Sequence, residues 1–170
     1  MPNQLLDSPT EHAYRLGHLK ATEEIFSQEP ERVADPREKL FGYVLPDFQR
    51  PPVWTVDQQT RFIESIWLGL PIGAYIVNEM SGGKTRNTFH PLNDIIIDGQ
   101  QRLRAIKSYW DDAFPVFGYR WSELDRAEQR DFELCGFTQL TTHLSDEEQV
   151  RYAYNCLNYG GTPHTEAQRA

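Results

Sequence analysis

A chain of 170 residues is long enough for one domain with a sizeable core and too short for two comfortable ones. Its composition is ordinary for a soluble globular protein, with 39% apolar, 25% charged and 12% aromatic residues, so there is enough to bury. Seventeen basic residues against 25 acidic ones give a net charge of −8, which excludes a protein that coats nucleic acid through bulk positive charge but allows a local basic patch.

Ser8-Pro9-Thr10-Glu11 has the form of a capping box with proline at the first helical position, and predicts a polar helix from about 9 to 28. Gln28 to Arg37 carries two prolines and many charges and reads as a linker. Leu40 to Leu45 reads as a strand closed by Pro46, and the adjacent prolines Pro51 and Pro52 force extended backbone after it. Thr55-Val56-Asp57-Gln58 is a second capping box, followed by apolar residues at helical spacing until Gly69 and Pro71. Ala74 to Val77 reads as a short strand and residues 81–91 as a polar loop or hairpin. Asp94 to Asp98 is the next strand, and Gly99 to Trp110 a helix with Leu103, Ile106 and Trp110 on one face. Pro115 to Trp121 reads as strand, Ser122 to about Cys135 as a charged helix, and Phe137 to Thr142 as strand. Ser145-Asp146-Glu147-Glu148 opens a last helix to about Leu157. Interleaved short strands and helices give a mixed α and β class.

Cys135 and Cys156 have no CxxC or Cys/His ligand spacing and read as reduced thiols. No apolar run approaches the ~18 residues of a membrane span, and no signal-peptide pattern opens the chain. The expected location is the cytoplasm, with no membrane partner. The five histidines show no HExxH-like pattern, and His12 and His18 read as exposed helix residues. Trp54, Trp67, Trp110 and Trp121 read as core or core-edge. "SGGKT" at 81–85 resembles the end of a P-loop, but position 78 is Asn where that motif needs glycine.

Three clusters can carry chemistry. The first is "IIIDGQQR", residues 95–102, where an apolar strand runs into Asp98-Gly99-Gln100-Gln101-Arg102 and a helix starts. A helix start has unpaired N–H groups and a partial positive charge, so it binds anions. Gly99 would let a phosphate approach the backbone, and Arg102 could fork onto its oxygens. Asp98 could cap the helix, hold Mg²⁺ or accept a proton. On spacing alone, a plain helix cap with a surface arginine is the favoured account of the pattern. The second cluster is Asp47, Gln49 and Arg50, at a strand end before a helix, where α/β folds assemble sites. The third is Asn158 with Gly160-Gly161-Thr162-Pro163-His164, where a helix C-cap and turn is the plain alternative.

Taken together and in this order, "LPDFQRPPVW", "IIDGQQRLRAI" and "LNYGGTPHTE" resemble the DGQQR proteins of the ParB/sulfiredoxin-like superfamily, over about residues 38–167. The best-known relatives are the N-terminal parts of GmrSD-type restriction proteins. The resemblance implies a compact mixed α+β fold with a small mixed sheet surrounded by helices. It implies an N-terminal helix and linker over 1–37 and a nucleotide-binding catalytic domain over 38–170. Asp98, Gly99, Gln100, Gln101 and Arg102 match the DGQQR motif, Gln49 and Arg50 its upstream Gln-Arg pair, and Asn158, Gly161 and Thr162 its C-terminal segment. ATP or another NTP, with Mg²⁺, is the implied cofactor pair.

No HNH nuclease follows within the 170 residues, so the leading expectation is phosphoryl transfer rather than independent DNA cleavage. By analogy with stand-alone phage relatives, that is a kinase acting on a hydroxyl of modified DNA such as a hydroxymethylated base. Arg102 and Arg50 would neutralise charge on the transferred group, with Asp98 as Mg²⁺ ligand or base and Glu64 as the weaker candidate. The alternatives are an NTP-binding or NTP-hydrolysing regulator of phage–host restriction, working in the host cytoplasm with a protein partner, and a metal-dependent nuclease.

Overall fold

Three isoleucines in succession suit a strand that is covered on both faces. In the computed structural model, which describes residues 8–80 and 90–159, β5 (Ile95–Asp98) is such a strand. It pairs antiparallel with β4 (Ala74–Asn78) and parallel with β3 (Tyr43–Val44). Ile96 packs into the larger core, under α1 (Gly17–Ser27), α3 (Val56–Trp67) and α4 (Gln100–Trp110). Ile95 and Ile97 point the other way and meet Val150, Ala153 and Tyr154 of α6 (Glu147–Tyr159). A mixed sheet thus lies between two helical layers, the arrangement expected from the sequence.

The described sheet has six strands in the order β1-β6-β4-β5-β3-β2. Lys39–Leu40 forms β2, which turns back onto β3 through Phe41 and Gly42, both at positive φ. Thr10–Arg15 forms β1, an edge strand antiparallel to β6 (Gly136–Thr142), which in turn runs parallel to β4. The helix predicted from residue 9 therefore starts at Gly17. Six residues of β1 find a ladder partner in β6, and that pairing outweighs the local capping signal of Ser8 and Glu11. His12 accordingly sits on a strand, and its ring stacks on Tyr14, which stacks on half-buried His18 at 3.9 Å. Neither histidine is an exposed helix residue.

Other elements move for similar reasons. Pro30–Ala34, within the predicted linker, forms the short helix α2 with proline at its first turn. Pro115 to Trp121 is not a strand: Val116 and Tyr119 make one bridge around a turn at Phe117 and Gly118, and Trp121–Glu123 is a 3₁₀ turn. The charged helix, α5 (Arg126–Glu133), starts from Asp125 rather than Ser122, because Asp125 and Glu128 complete a reciprocal capping box. Asp146, not Ser145, accepts the N–H of Gln149 at the start of α6. The Thr55/Gln58 box and the helix it opens are as predicted. The four tryptophans all belong to or border the larger core. "SGGKT" lies outside the described residues. Among the described residues no helix is long and apolar enough to cross a membrane.

Under α1 and α2 the core carries a polar network. Gln139, 2% exposed, accepts from the hydroxyls of Tyr43 (3.0 Å) and Tyr75 (2.8 Å), and its amide faces Thr141 (3.0 Å) and Glu79 (3.5 Å). Burial pushes both tyrosine hydroxyls up. Burial first, and the nearby Asp94 carboxylate second, also raise Glu79, against the pull of His12 and His143. A carboxyl raised in the folded state contributes stability that is fully present below its ordinary range and is lost as pH rises through the raised value. Glu79→Gln, which keeps the acceptor and removes the charge, is therefore expected to raise the melting temperature at pH 7 and leave it unchanged near pH 4. An equal shift at both values would contradict this.

Candidate functional site

The end of β5 and the start of α4 open onto a cavity of about 120 Å³. It is lined by Gln49, Arg50, Trp54, Ile97, Tyr154 and the whole of Asp98-Gly99-Gln100-Gln101-Arg102. Two of the three clusters read from the sequence thus meet at one place. Of the third, Asn158 lies in the last turn of α6, while Gly161 and Thr162 fall outside the described residues. Asp47 is exposed and does not line the cavity, nor does Glu64 on α3.

Why the motif has two glutamines becomes clear from the loop over residues 46–54. Pro51 and Pro52 carry no N–H, so Val53 and Trp54 hold the first free donors after them. Gln101 accepts from both, at 3.3 Å each. Gln100 donates its amide to the carbonyl of Arg50 at 3.0 Å. The two side chains, both more than nine-tenths buried, tie the loop to the helix start.

Gln49 makes the matching tie to the strand. The β3–β5 register pairs Val44 with Ile95, so the next donor to the Ile96 carbonyl on that ladder would come from residue 46. That residue is Pro46, which has none, and the side-chain amide of Gln49 donates to Ile96 instead. From the other side the Tyr154 hydroxyl accepts the N–H of Arg50 at 3.1 Å.

These ties fix the orientation of each amide. Gln101 has its oxygen committed to the loop, and its Nε2 is buried with no partner among the described residues. Gln49 has its Nε2 committed to Ile96, and its Oε1 is likewise buried and unpartnered. Leaving a buried polar atom unsatisfied costs about 1–3 kcal/mol, so such atoms mark strain or a missing partner.

Charge completes the site. Asp98 and Arg102 form a salt bridge of 2.5 Å, with side chains 32% and 25% exposed, and the Arg102 Nε is a third buried atom without a partner. Asp98 is not the helix cap: Gly99 occupies that position at φ 95°, and no side chain caps the helix start. The first-turn N–H groups of α4 thus keep their affinity for an anion. The space vacated by the side chain of Gly99 is taken by Tyr75 of β4, since an added Cβ would lie 2.6 Å from the Tyr75 Cβ and 2.9 Å from its Cα. Arg50 is exposed, and its guanidinium forms no salt bridge among the described residues.

The model of the GmrSD restriction endonuclease N-terminal domain matches residues 23–167. The chain belongs to this family. The matched span holds all three motif clusters, and membership agrees with the ParB/sulfiredoxin-like placement read from them. No curated protein and no solved structure matches the chain. Within the GmrSD-type frame, two cavity residues had no motif to announce them. Trp54 lies just past the double proline, and its place is legible only once Gln101 is seen to hold its N–H. Tyr154 is four residues before the motif's Asn158 in the sequence of α6, and that spacing was the available signal.

Proposed function

We propose that the protein is a nucleotide-binding component of a restriction system that binds and hydrolyses a nucleoside triphosphate at the DGQQR cavity. One observation carries the reading: an uncapped helix start, Arg102, Arg50 and a buried, unpartnered amide converge on a single small cavity. The donors and the Arg50 charge, beside an Arg102 already paired with Asp98, suit phosphate oxygens. Small-molecule sites run to roughly 300–1,000 Å³, so a cavity of this size takes phosphates and leaves base and sugar nearer the mouth. Trp54 lines the cavity, and the exposed Pro51, Pro52 and Val53 precede it in the loop. The family's printed name, a restriction endonuclease domain, supplies the setting.

Mg²⁺ would enter with the triphosphate. Among the described residues no group of three acidic, histidine or cysteine side chains could hold it, and Asp98 is the one carboxylate lining the cavity. Such a site fits a hydrated ion carried mainly by phosphate oxygens. Arg50 is the residue to test, because nothing in the fold depends on its guanidinium. Arg50→Ala is expected to weaken binding of Mg²⁺-bound ribonucleoside triphosphates, read by calorimetry, by about 10- to 100-fold. Its unfolding free energy should stay within about 0.5 kcal/mol of the parent. A parent protein that binds none of the common triphosphates at millimolar concentration, or an Arg50→Ala that binds as the parent does, would remove this reading.

A further inference from the structure

Anion chemistry leaves one cavity atom unexplained. A phosphate accepts hydrogen bonds, so it can satisfy Gln101 Nε2, Arg102 Nε and the helix N–H groups. It cannot satisfy Gln49 Oε1, which needs a donor. The amide of Gln49 cannot rotate to present its nitrogen, because that nitrogen already serves the Ile96 carbonyl in place of the absent Pro46 N–H. The site therefore holds a fixed acceptor beside fixed donors, both buried, on two residues that line the same cavity.

We infer that Gln49 Oε1 positions an O–H nucleophile against the terminal phosphate, while Gln101 Nε2 contacts the phosphate itself. This rests on the proposed nucleotide function and adds a reaction to it. The nucleophile's O–H donates to Gln49, which turns an oxygen lone pair toward phosphorus. A new P–O bond forms to that oxygen, and the bond from the terminal phosphorus to the bridging oxygen breaks. Its electron pair leaves with the diphosphate. The nucleophile's proton passes to a phosphate oxygen, since an amide oxygen is too weak a base to keep it. Water and an alcohol share this chemistry, and they give free phosphate and a phosphate ester respectively. Neither Gln49 Oε1 nor Gln101 Nε2 is open to bulk solvent.

The test separates binding from turnover. Affinity for a non-hydrolysable ATP analogue is measured by calorimetry. Release of labelled phosphate from γ-labelled ATP is measured with and without hydroxymethylated DNA. Gln49→Met keeps the volume and loses the acceptor; it is expected to bind within about threefold of the parent and turn over about 100-fold more slowly. Gln49→Met also gives up the donor to Ile96, so it is paired with Pro46→Ala, which returns a backbone N–H to that carbonyl; the double variant is expected to fold as the parent does and to turn over about 100-fold more slowly. Label released as free phosphate identifies water as the nucleophile; label on DNA identifies the alcohol. If Gln49→Met, alone or with Pro46→Ala, turns over at the parent rate, or if it loses binding and turnover equally, the positioning role is overturned. A parent that binds no nucleotide refutes the nucleotide reading itself, and a parent that binds without turnover overturns this inference alone.

Discussion

Gly99→Ala is expected to lower the unfolding free energy by about 2–5 kcal/mol, measured as a shift of the urea midpoint at constant slope. Two costs combine. At φ 95° an L side chain meets its own backbone, worth about 1–2 kcal/mol. The new methyl would then stand 2.9 Å from the Cα of Tyr75, and backbone in the middle of a sheet cannot move aside as a flexible side chain does. Relieving that overlap pushes the start of α4 away from β4, at about 1–3 kcal/mol. Gly118 separates the two terms, because it has φ 88° with nothing within 4 Å of an added Cβ. Gly118→Ala should show the strain cost alone. If Gly99→Ala proves no worse than Gly118→Ala, the packing against Tyr75 does not matter.

That expectation changes what the glycine of the motif is for. The missing side chain brings helix start and sheet into contact, so that Arg102, Gln100 and Gln101 reach the cavity from a fixed base. The unpaired N–H groups belong to the uncapped helix start, not to the glycine's missing side chain.

The parts of the fold legible in the sequence are those decided locally. Thr55/Gln58 closes its capping box within four residues, and the isoleucines of β5 announce a strand buried on both faces. Two of the three clusters read from the sequence line one cavity, and the order of all three along the chain carried the family resemblance. What the sequence hid was decided at long range. The edge strand β1 depends on a partner about 125 residues away, and a proline-marked capping signal pointed elsewhere. The roles of Gln49, Gln100 and Gln101 were hidden for the same reason. Gln49 supplies the donor that Pro46 lacks, and Gln100 and Gln101 pair backbone groups on either side of Pro51 and Pro52, and only the assembled register shows which groups need a partner. Asp98 was read as a helix cap, a Mg²⁺ ligand or a base. Its ion pair with Arg102, one turn on, is local, but nothing in the spacing chose it over capping.

Arg32→Met is expected to cost about 3–5 kcal/mol, the range for stripping one partner from a buried ion pair. Arg32 is 3% exposed, and its guanidinium reaches Asp94 at 2.5 Å, Glu29 at 2.9 Å and the carbonyl of Gly42 at 3.3 Å, with its plane 3.7 Å from the Phe26 ring. It thereby joins α2 to the β2–β3 turn and to the residue that leads into β5. Asp94 is also buried, and its carboxyl lies above the ordinary range because burial outweighs the neighbouring cation. Removing that cation leaves the carboxylate uncompensated and raises it further. Protonation then relieves part of the damage, so the deficit should shrink as pH falls from 7 toward 4. Asp94→Asn in the Arg32→Met background removes the stranded charge and should recover a large part of the loss at pH 7, giving a coupling energy of about 1–3 kcal/mol in the double-mutant cycle. A double variant whose loss equals the sum of the single losses, with a deficit independent of pH, would mean that Arg32 acts through its packing on Phe26 and not through its charge.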